Sequence, residues 1–311
     1  QAGYVNFGLA IIGDDYSGGN IQYLYVEKPI VTRISPLCGP TSGYTQLAIE
    51  GKNFIYFGKS VASCIFGGVV SMPAVIMNET LMYCDTPSVL DKFGNNVNNI
   101  QNYTIDITLN GVDRYSTNKT FIYYTQPSLQ SISPLLGPLV GGTNVTVQGN
   151  NFNNGCQITC RFATMEVPGN LTENGTIICR TPAVTCPGET IVQVSLNGQQ
   201  YTSNQYAQDS TLFTYYEDPI IAYTNPNAFP MTGGSDLNIY GSGFLFSRNT
   251  TTNKDETKRI AYKCRFKDEK TGKIIAISNA TQESPHKIVC KPPAVNDTTD
   301  QISVQISPDG I

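Results

Sequence analysis

The sequence predicts an all-β protein of tandem two-layer sandwiches joined into a semi-rigid rod, and three observations carry that prediction. One stretch recurs in strict register. Pro127, Ser133-Pro134, Gly137-Pro138, Gly141-Gly142 and Gly149-Asn150-Asn151-Phe152 are preceded by Pro29, Ser35-Pro36, Gly39-Pro40, Ser42-Gly43 and Gly51-Lys52-Asn53-Phe54. They are followed by Pro219, Asn225-Pro226, Gly233-Gly234 and Gly241-Ser242-Gly243-Phe244. A register held over this length marks a structural repeat. Apolar residues then alternate in each copy, at Leu47 and Ile49, Val145 and Val147, Leu237 and Ile239. Period two is the pattern of a strand with one buried face. Charged residues make up only 14% of the chain, beside 18 Tyr and 28 Gly, a composition that suits sheet and turn.

Each copy reads as strand, tight turn, strand. The Ser-Pro and Gly-Pro pairs end the first strand, because Pro has no N–H to donate to a ladder. The Gly pair reverses the chain. The Gly-x-x-Phe ending is a further turn, and its Phe is expected to plug the core. No helical pattern follows the glycines, so they are not a phosphate cradle, which needs a helix N-terminus.

At 311 residues, length alone suggests about two domains. The repeat gives three instead, at 29–126, 127–218 and 219–311, each near the roughly 100 residues of a seven-strand sandwich. Residues 1–28 match repeat ends: Tyr23-x-Tyr25 stands before Pro29 as Phe121-x-Tyr123 stands before Pro127 and Phe213-x-Tyr215 before Pro219. They are read as the closing hairpin of a preceding sandwich. Repeat three has Ile302, Val304 and Ile306 where the others have Val192, Val194 and Leu196 or Ile105, Ile107 and Leu109, and it is expected to lack its last strand. A sandwich without that strand exposes unpaired backbone. Both ends are read as cut within longer neighbouring domains, in preference to strand exchange with residues 1–28. The linkers Glu27-Lys28-Pro29, Thr125-Gln126-Pro127 and Glu217-Asp218-Pro219 are short. Only the last carries two carboxylates, so calcium is not expected at these joints.

The nine cysteines include three in a Cys-x-Phe pattern, Cys64, Cys160 and Cys264, and three just before a Pro, Cys84, Cys179 and Cys290. One pair per repeat is the simplest account: Cys64–Cys84, Cys160–Cys179 and Cys264–Cys290. Each such loop is worth about 3 kcal/mol if unstrained. Cys156 and Cys186 occur only in the second repeat and are expected to bridge each other, leaving Cys38 unpaired. No Cys-x-x-Cys occurs and there is one His, which argues against zinc. Glycosylation sequons stand at Asn78, Asn102, Asn118, Asn144, Asn170, Asn174, Asn249, Asn279 and Asn296. Cysteine pairs and sequons together place the chain outside the cell. A net charge of −4 argues against nucleic-acid binding. No apolar run approaches a membrane span, so anchorage would lie in a segment outside these residues.

Catalytic chemistry is not expected. His286 is alone, no Gly-x-Ser-x-Gly occurs, and Asp14-Asp15 lies in a Gly-rich turn. No cofactor is implied. The late hairpin tips offer candidate contacts for a protein partner: Asp15 and Tyr16, Arg114 and Tyr115, and Tyr201 beside Gln199-Gln200. Tyr and Arg are favoured anchors on sandwich loops, and capping of their own sandwich is an equal reading for Tyr115 and Tyr201. The inserts 91–103 and 254–259 are further candidates.

The repeated constellation resembles the IPT/TIG domain, an immunoglobulin-like sandwich of the early-set type, over nearly the whole chain. The resemblance implies the fold and leaves function open, since that module serves in adhesion proteins, plexin and Met-type receptors, DNA-binding factors and polysaccharide enzymes. The Asn-, Thr- and Tyr-rich style, the density of sequons and the Cys-x-Phe…Cys pattern are similar to the Tgr proteins of social amoebae. That likeness implies a single-pass cell-surface glycoprotein that binds a matched family member on an opposing cell, in adhesion and self-recognition. Two other readings are a plexin-type receptor stalk and an accessory carbohydrate-binding module; the lack of Trp counts against the last.

Overall fold

A computed structural model describes residues 3–6, 8–10, 13, 16–17, 22–57, 61–89, 102–153, 155–203, 209–244, 262–295 and 301–308. It begins with β1 (Gly3–Asn6), β2 (Leu9–Ala10), β3 (Tyr16–Ser17) and β4 (Gln22–Tyr25), in which β1 pairs with β4 and β2 with β3. The first repeat holds β5 (Ile30–Ser35), β6 (Cys38–Pro40), β7 (Gln46–Lys52), β8 (Ser63–Phe66), β9 (Val70–Asn78), β10 (Leu81–Asp85), β11 (Asn102–Thr108) and β12 (Tyr115–Tyr124). The second holds β13 (Ser128–Ser133), β14 (Leu136–Pro138), β15 (Asn144–Asn150), β16 (Thr159–Phe162), β17 (Met165–Leu171), β18 (Ile177–Arg180), β19 (Gly188–Ser195) and β20 (Leu212–Tyr216). The third holds β21 (Ile220–Asn225), β22 (Leu237–Ser242), β23 (Lys263–Asp268), β24 (Ile274–Asn279), β25 (Thr281–Ser284), β26 (Lys287–Cys290) and β27 (Ile302–Ser307).

Each complete repeat is one hydrogen-bonded ribbon folded into two layers, ordered β5-β7-β10-β9-β8-β11-β12-β6 and β13-β15-β18-β17-β16-β19-β20-β14. The short strand after the Ser-Pro bond crosses to the other layer and runs parallel to the closing strand, with Cys38 opposite Ile122 and Leu136 opposite Thr214. The third repeat forms two separate sheets, β21-β22-β26-β25 and β24-β23-β27. Ser35-Pro36, Ser133-Pro134 and Asn225-Pro226 are cis.

The alternation places side chains as period two requires. Leu47, Ile49, Val145, Val147 and Ile239 are fully buried, as are Ile105, Ile107 and Val194 of the facing layers. At about 25 cal/mol per Å², each such side chain contributes roughly 1.5–3 kcal/mol. The Gly-x-x-Phe motif has a packing cause. A Cβ on Gly51 would stand 2.6 Å from Phe54 Cζ and collide with the Ile30 carbonyl, and Gly241 is held likewise by Phe244 and Ile220. These glycines lie within strands, and the Phe ring folds back over the bare backbone into the core, where Phe54 is 1% exposed. Between Gly and Phe the backbone turns left-handed at Asn53 (φ 63°), Asn151 (φ 61°) and Gly243 (φ 76°), a region Asn and Gly enter readily.

The chain forms two compact units. One holds Gln1–Leu129 with Gly149–Thr159 and Val194–Ser203; the other holds Gln130–Gln148, Cys160–Gln193 and Asn204–Ile311. Two loops of the second repeat thus fold with the first repeat.

Candidate functional site

Those two loops build the most elaborate polar site in the first unit. It starts from the Asn197-Gly198 turn. Gly198 takes φ 75°, and Asn197 Oδ1 accepts the N–H groups of Gln199 and Gln200, both at 3.1 Å. This local bond stabilises the turn and aims the next two amides at the first repeat. Gln199 clasps the backbone of Gln46: its Oε1 accepts Gln46 N–H at 3.0 Å and its Nε2 donates to Gln46 O at 2.8 Å. Gln200 Nε2 donates to Tyr44 O at 3.1 Å, and its Oε1 accepts from Thr45 Oγ1 at 3.1 Å. Asn197 is only 2% exposed, and its Nδ2 donates to Gln200 Oε1 at 2.6 Å, to Cys38 O at 3.3 Å and to Thr45 Oγ1 at 3.4 Å. Asn197 is the buried amide of the three, while Gln199 is exposed and Gln200 half-buried; a satisfied hydrogen bond is worth about 1 kcal/mol, and more when lost one-sidedly at a buried group.

A covalent latch closes the same site, and it corrects two sequence expectations. Cys38 is not unpaired and Cys156 does not bridge Cys186: the structure joins Cys38 to Cys156, with Cα atoms 5.8 Å apart. The reason is topological. Cys156 lies in the loop between β15 and β16, whose N–H bonds Leu196 O beside the Asn197 turn. Cys186 lies in the loop between β18 and β19, at the other end of the sandwich, where Val184 N–H bonds Leu139 O. Cys186 is exposed and free. Cys38 is fully buried in β6, facing the incoming loop. The remaining bonds are Cys64–Cys84, Cys160–Cys179 and Cys264–Cys290.

The linkers are tied by the left-handed asparagines. Asn53 Nδ2 donates to Lys28 O at 3.1 Å and Asn151 Nδ2 to Gln126 O at 3.2 Å. The joint leading into the third repeat has Gly243 at this position, with no side chain to do so, and Leu136 stands where the first repeat has Cys38. The latch is therefore specific to the first joint.

The other candidates fare differently. Asp15 lies outside the described residues. Tyr16 lies in β3, and its side chain lies outside them too. Arg114 is exposed and its Nη1 donates to Gly68 O at 3.1 Å, while Tyr115 packs against its own core. Tyr201 is half-buried and bridges Ser195 within its own repeat. The structure thus gives Tyr115 a capping role, and among the described candidates Arg114 is the exposed one. Asn78, Asn102, Asn118, Asn144, Asn170, Asn174 and Asn279 are exposed; Asn249 and Asn296 lie outside the described residues, as do nearly all of 91–103 and all of 254–259. His286 Nδ1 is 3.2 Å from Gly241 O, a structural contact. No group of three His, Cys, Asp or Glu occurs among the described residues. Nor is any described helix long and apolar enough to cross a membrane.

Each complete repeat also carries a buried closing-strand tyrosine. Tyr123 Oη donates to Pro87 O at 2.8 Å and Tyr215 Oη to Pro182 O at 3.1 Å. Burial pushes the Tyr215 phenol up to about 12, against a smaller lowering through Thr181, and raises Tyr123 and Tyr124 well above the ordinary value.

A family model for the IPT/TIG domain matches residues 29–123, 127–215 and 219–311. Plexin-B2 of Mus musculus is 26% identical over 219 residues, and Plexin A3 of Danio rerio 26% over 224; each match covers 70% of this chain. The chain spans 11% of the length of these curated relatives. Among solved structures, the extracellular region of Plexin A4 is similar, with TM-score 0.43 and 20% identity over 88% of this chain and 21% of that one.

Proposed function

This chain belongs to the IPT/TIG domain family, and from that membership we propose that it is part of the extracellular region of a plexin-type cell-surface receptor. Its repeats act there as a stalk that sets the spacing and orientation of binding modules. The single observation that carries this reading is the first joint. A stalk transmits orientation only if its joints resist bending, and here six side-chain amide hydrogen bonds and a disulfide span two repeats. Buried disulfides suit an oxidising, extracellular setting. The plexin relatives support the stalk over adhesion and self-recognition of the Tgr kind, which no residue of the site favours. IPT/TIG repeats are structural and binding modules, and no enzyme family is indicated.

The test is a spin-label distance measurement between exposed sites in repeats one and two, Val69→Cys and Glu173→Cys, with Cys186→Ser throughout. A narrow distribution is expected. It should broaden when Cys38→Ser and Cys156→Ser are combined with Asn197→Ala. A distribution already broad before that change would sink the stalk reading. So would specific binding of the isolated chain to opposing cells that is lost on Arg114→Ala, a result that restores adhesion.

A further inference from the structure

The strand after each Cys-x-Phe strand, β9, β17 or β24, carries a glycosylation sequon on its solvent face. Hydrogen bonds fix the correspondence between repeats. Ala74 N–H donates to Ala62 O and Ala280 N–H to Tyr262 O, both at 2.9 Å, and Gly169 stands opposite Cys179 as Ala74 stands opposite Cys84. Ala74 and Ala280 pack against their own cores. Chain neighbours of these positions therefore face out, and Asn170 and Asn279 are such neighbours, both exposed. Asn78 reaches the same face through a β-bulge. Val75 pairs with Tyr83 and Asn78 with Leu81, so three steps along β9 match two along β10, and Asn78 stands on the side of Val75.

In the first repeat this face is apolar. Val75 is 61% exposed and Met77 60%. Tyr83, opposite Val75, is half-buried, as is Leu81 opposite Asn78. Val75 also lines, with Tyr56 and Phe57, a groove of about 190 Å³. Contiguous exposed apolar surface of this kind marks a contact site. The sequon beside it is set in an acceptor geometry. Asn78 Oδ1 accepts both the Thr80 N–H and the Thr80 hydroxyl, each at 2.8 Å. Both bonds fall on the oxygen, and Nδ2, the atom that takes a sugar, donates to no described residue. Asn78, Glu79 and Thr80 are all exposed. The two bonds span two residues, so they form without help from the sheet.

We infer that Asn78 carries an N-linked glycan whose first sugar rings lie over Val75, Met77 and Tyr83 and cover the apolar face of β9. Transfer breaks the bond between the anomeric carbon and a phosphate oxygen of a polyprenyl diphosphate oligosaccharide and joins that carbon to Asn78 Nδ2. The amide gives up one proton, and the lipid diphosphate leaves. The reach is sufficient. Three residues of strand rise, about 3.3 Å each, separate Asn78 from Val75, a span that two sugar rings cover. The occupant follows from its chemistry: a sugar ring presents a face of C–H groups to the aliphatic side chains and a rim of hydroxyls to water. A protein approaching this face meets a bulky tethered glycan first. The second repeat offers the same pairing, since Asn170 stands opposite the half-buried Ile178. This inference shares with the stalk reading only the extracellular setting.

The test secretes the full chain from a eukaryotic cell line and maps its glycopeptides by mass spectrometry. Asn78 is expected to be occupied. The folded chain is then treated with dilute peroxide, and sulfoxide formation is followed at Met77 and at Met231, a control in the third repeat that is 44% exposed. Oxidation follows exposure, so Met77 is expected to react on the order of threefold more slowly in the glycosylated chain than in Asn78→Gln, with Met231 unchanged. Enzymatic removal of the sugars from the folded chain gives the same comparison if Asn78→Gln does not fold. An unoccupied Asn78 would overturn the site. An occupied Asn78 with equal Met77 rates would overturn the cover. Either failure leaves the rigidity of the first joint, read by spin-label distances, where it stands.

Discussion

Asn197→Asp separates the turn from the joint, and its cost follows from the geometry. Asp keeps an oxygen where Asn197 Oδ1 accepts Gln199 N–H and Gln200 N–H, so the hairpin tip survives. It replaces the Nδ2 donor by a second oxygen facing Cys38 O, Thr45 Oγ1 and Gln200 Oε1. The Thr45 hydroxyl can rotate to donate and recover part of the loss. Two acceptors remain unmatched beside a buried carboxylate, at about 1–3 kcal/mol each, so the expected destabilisation at neutral pH is roughly 2–6 kcal/mol. Desolvation raises the new carboxyl above the ordinary Asp value of about 3.9. A raised folded value means that the penalty is smallest below the unfolded value and grows as pH rises through the folded one. The control is Asn110→Asp in repeat one. There Nδ2 donates to Asp113 within the same exposed turn at 2.8 Å, and the change should cost about 1 kcal/mol or less. Urea unfolding at pH 4 and pH 7, with hydrogen exchange at the Gln46 amide, reads both effects. If Asn197→Asp matched Asn110→Asp, or lay within about 0.5 kcal/mol of the unaltered chain at both pH values, the Asn197 amide would not bear on the joint's stability.

Four further outcomes follow from the packing. Peptide mapping without reduction should recover Cys38 linked to Cys156 and an alkylated Cys186; a Cys156–Cys186 peptide would refute the latch. Cys64–Cys84 shortcuts part of the long loop that Cys38–Cys156 closes. That leaves about 100 residues, so removing the latch with paired serines should cost about 4.7 kcal/mol against the unfolded chain, measured by denaturant midpoint. Gly51→Ala should cost about 3 kcal/mol or more, because its methyl meets the rigid Ile30 carbonyl as well as the Phe54 ring; thermal melting checks it. Above pH 10 the buried tyrosines oppose the folded state. Their folded values lie above the unfolded one, so their contribution is intact below pH 10 and is lost as pH rises through the folded value, about 12 for Tyr215. Ultraviolet titration of the phenolates alongside circular dichroism should show ionisation of these groups and unfolding together.

The sequence by itself determined the repeat, the strands, the sandwich class and the one cysteine pair that every copy shares. These are local matters: alternation over Leu47 and Ile49 and cysteine spacing within one copy are set by a few dozen neighbouring residues. Gly51 shows the limit of that reading. It is legible as a turn glycine, and the structure shows a strand glycine kept bare for the Phe54 ring. The joint was decided by tertiary structure alone. Cys38 and Cys156 are separated by 118 residues, and no local pattern says which loops meet at which end of a sandwich. One signal was present: the β15–β16 and β18–β19 loops leave opposite ends of such a fold, which already separates Cys156 from Cys186. The Asn78 sequon was legible, and the bulge that turns it to the face of Val75 was not, since a bulge adds one residue to a strand without ending its pairing. Periodicity reports which face of a strand is buried; it does not report what lies across the core from it, and specificity in this protein is set by those distant neighbours.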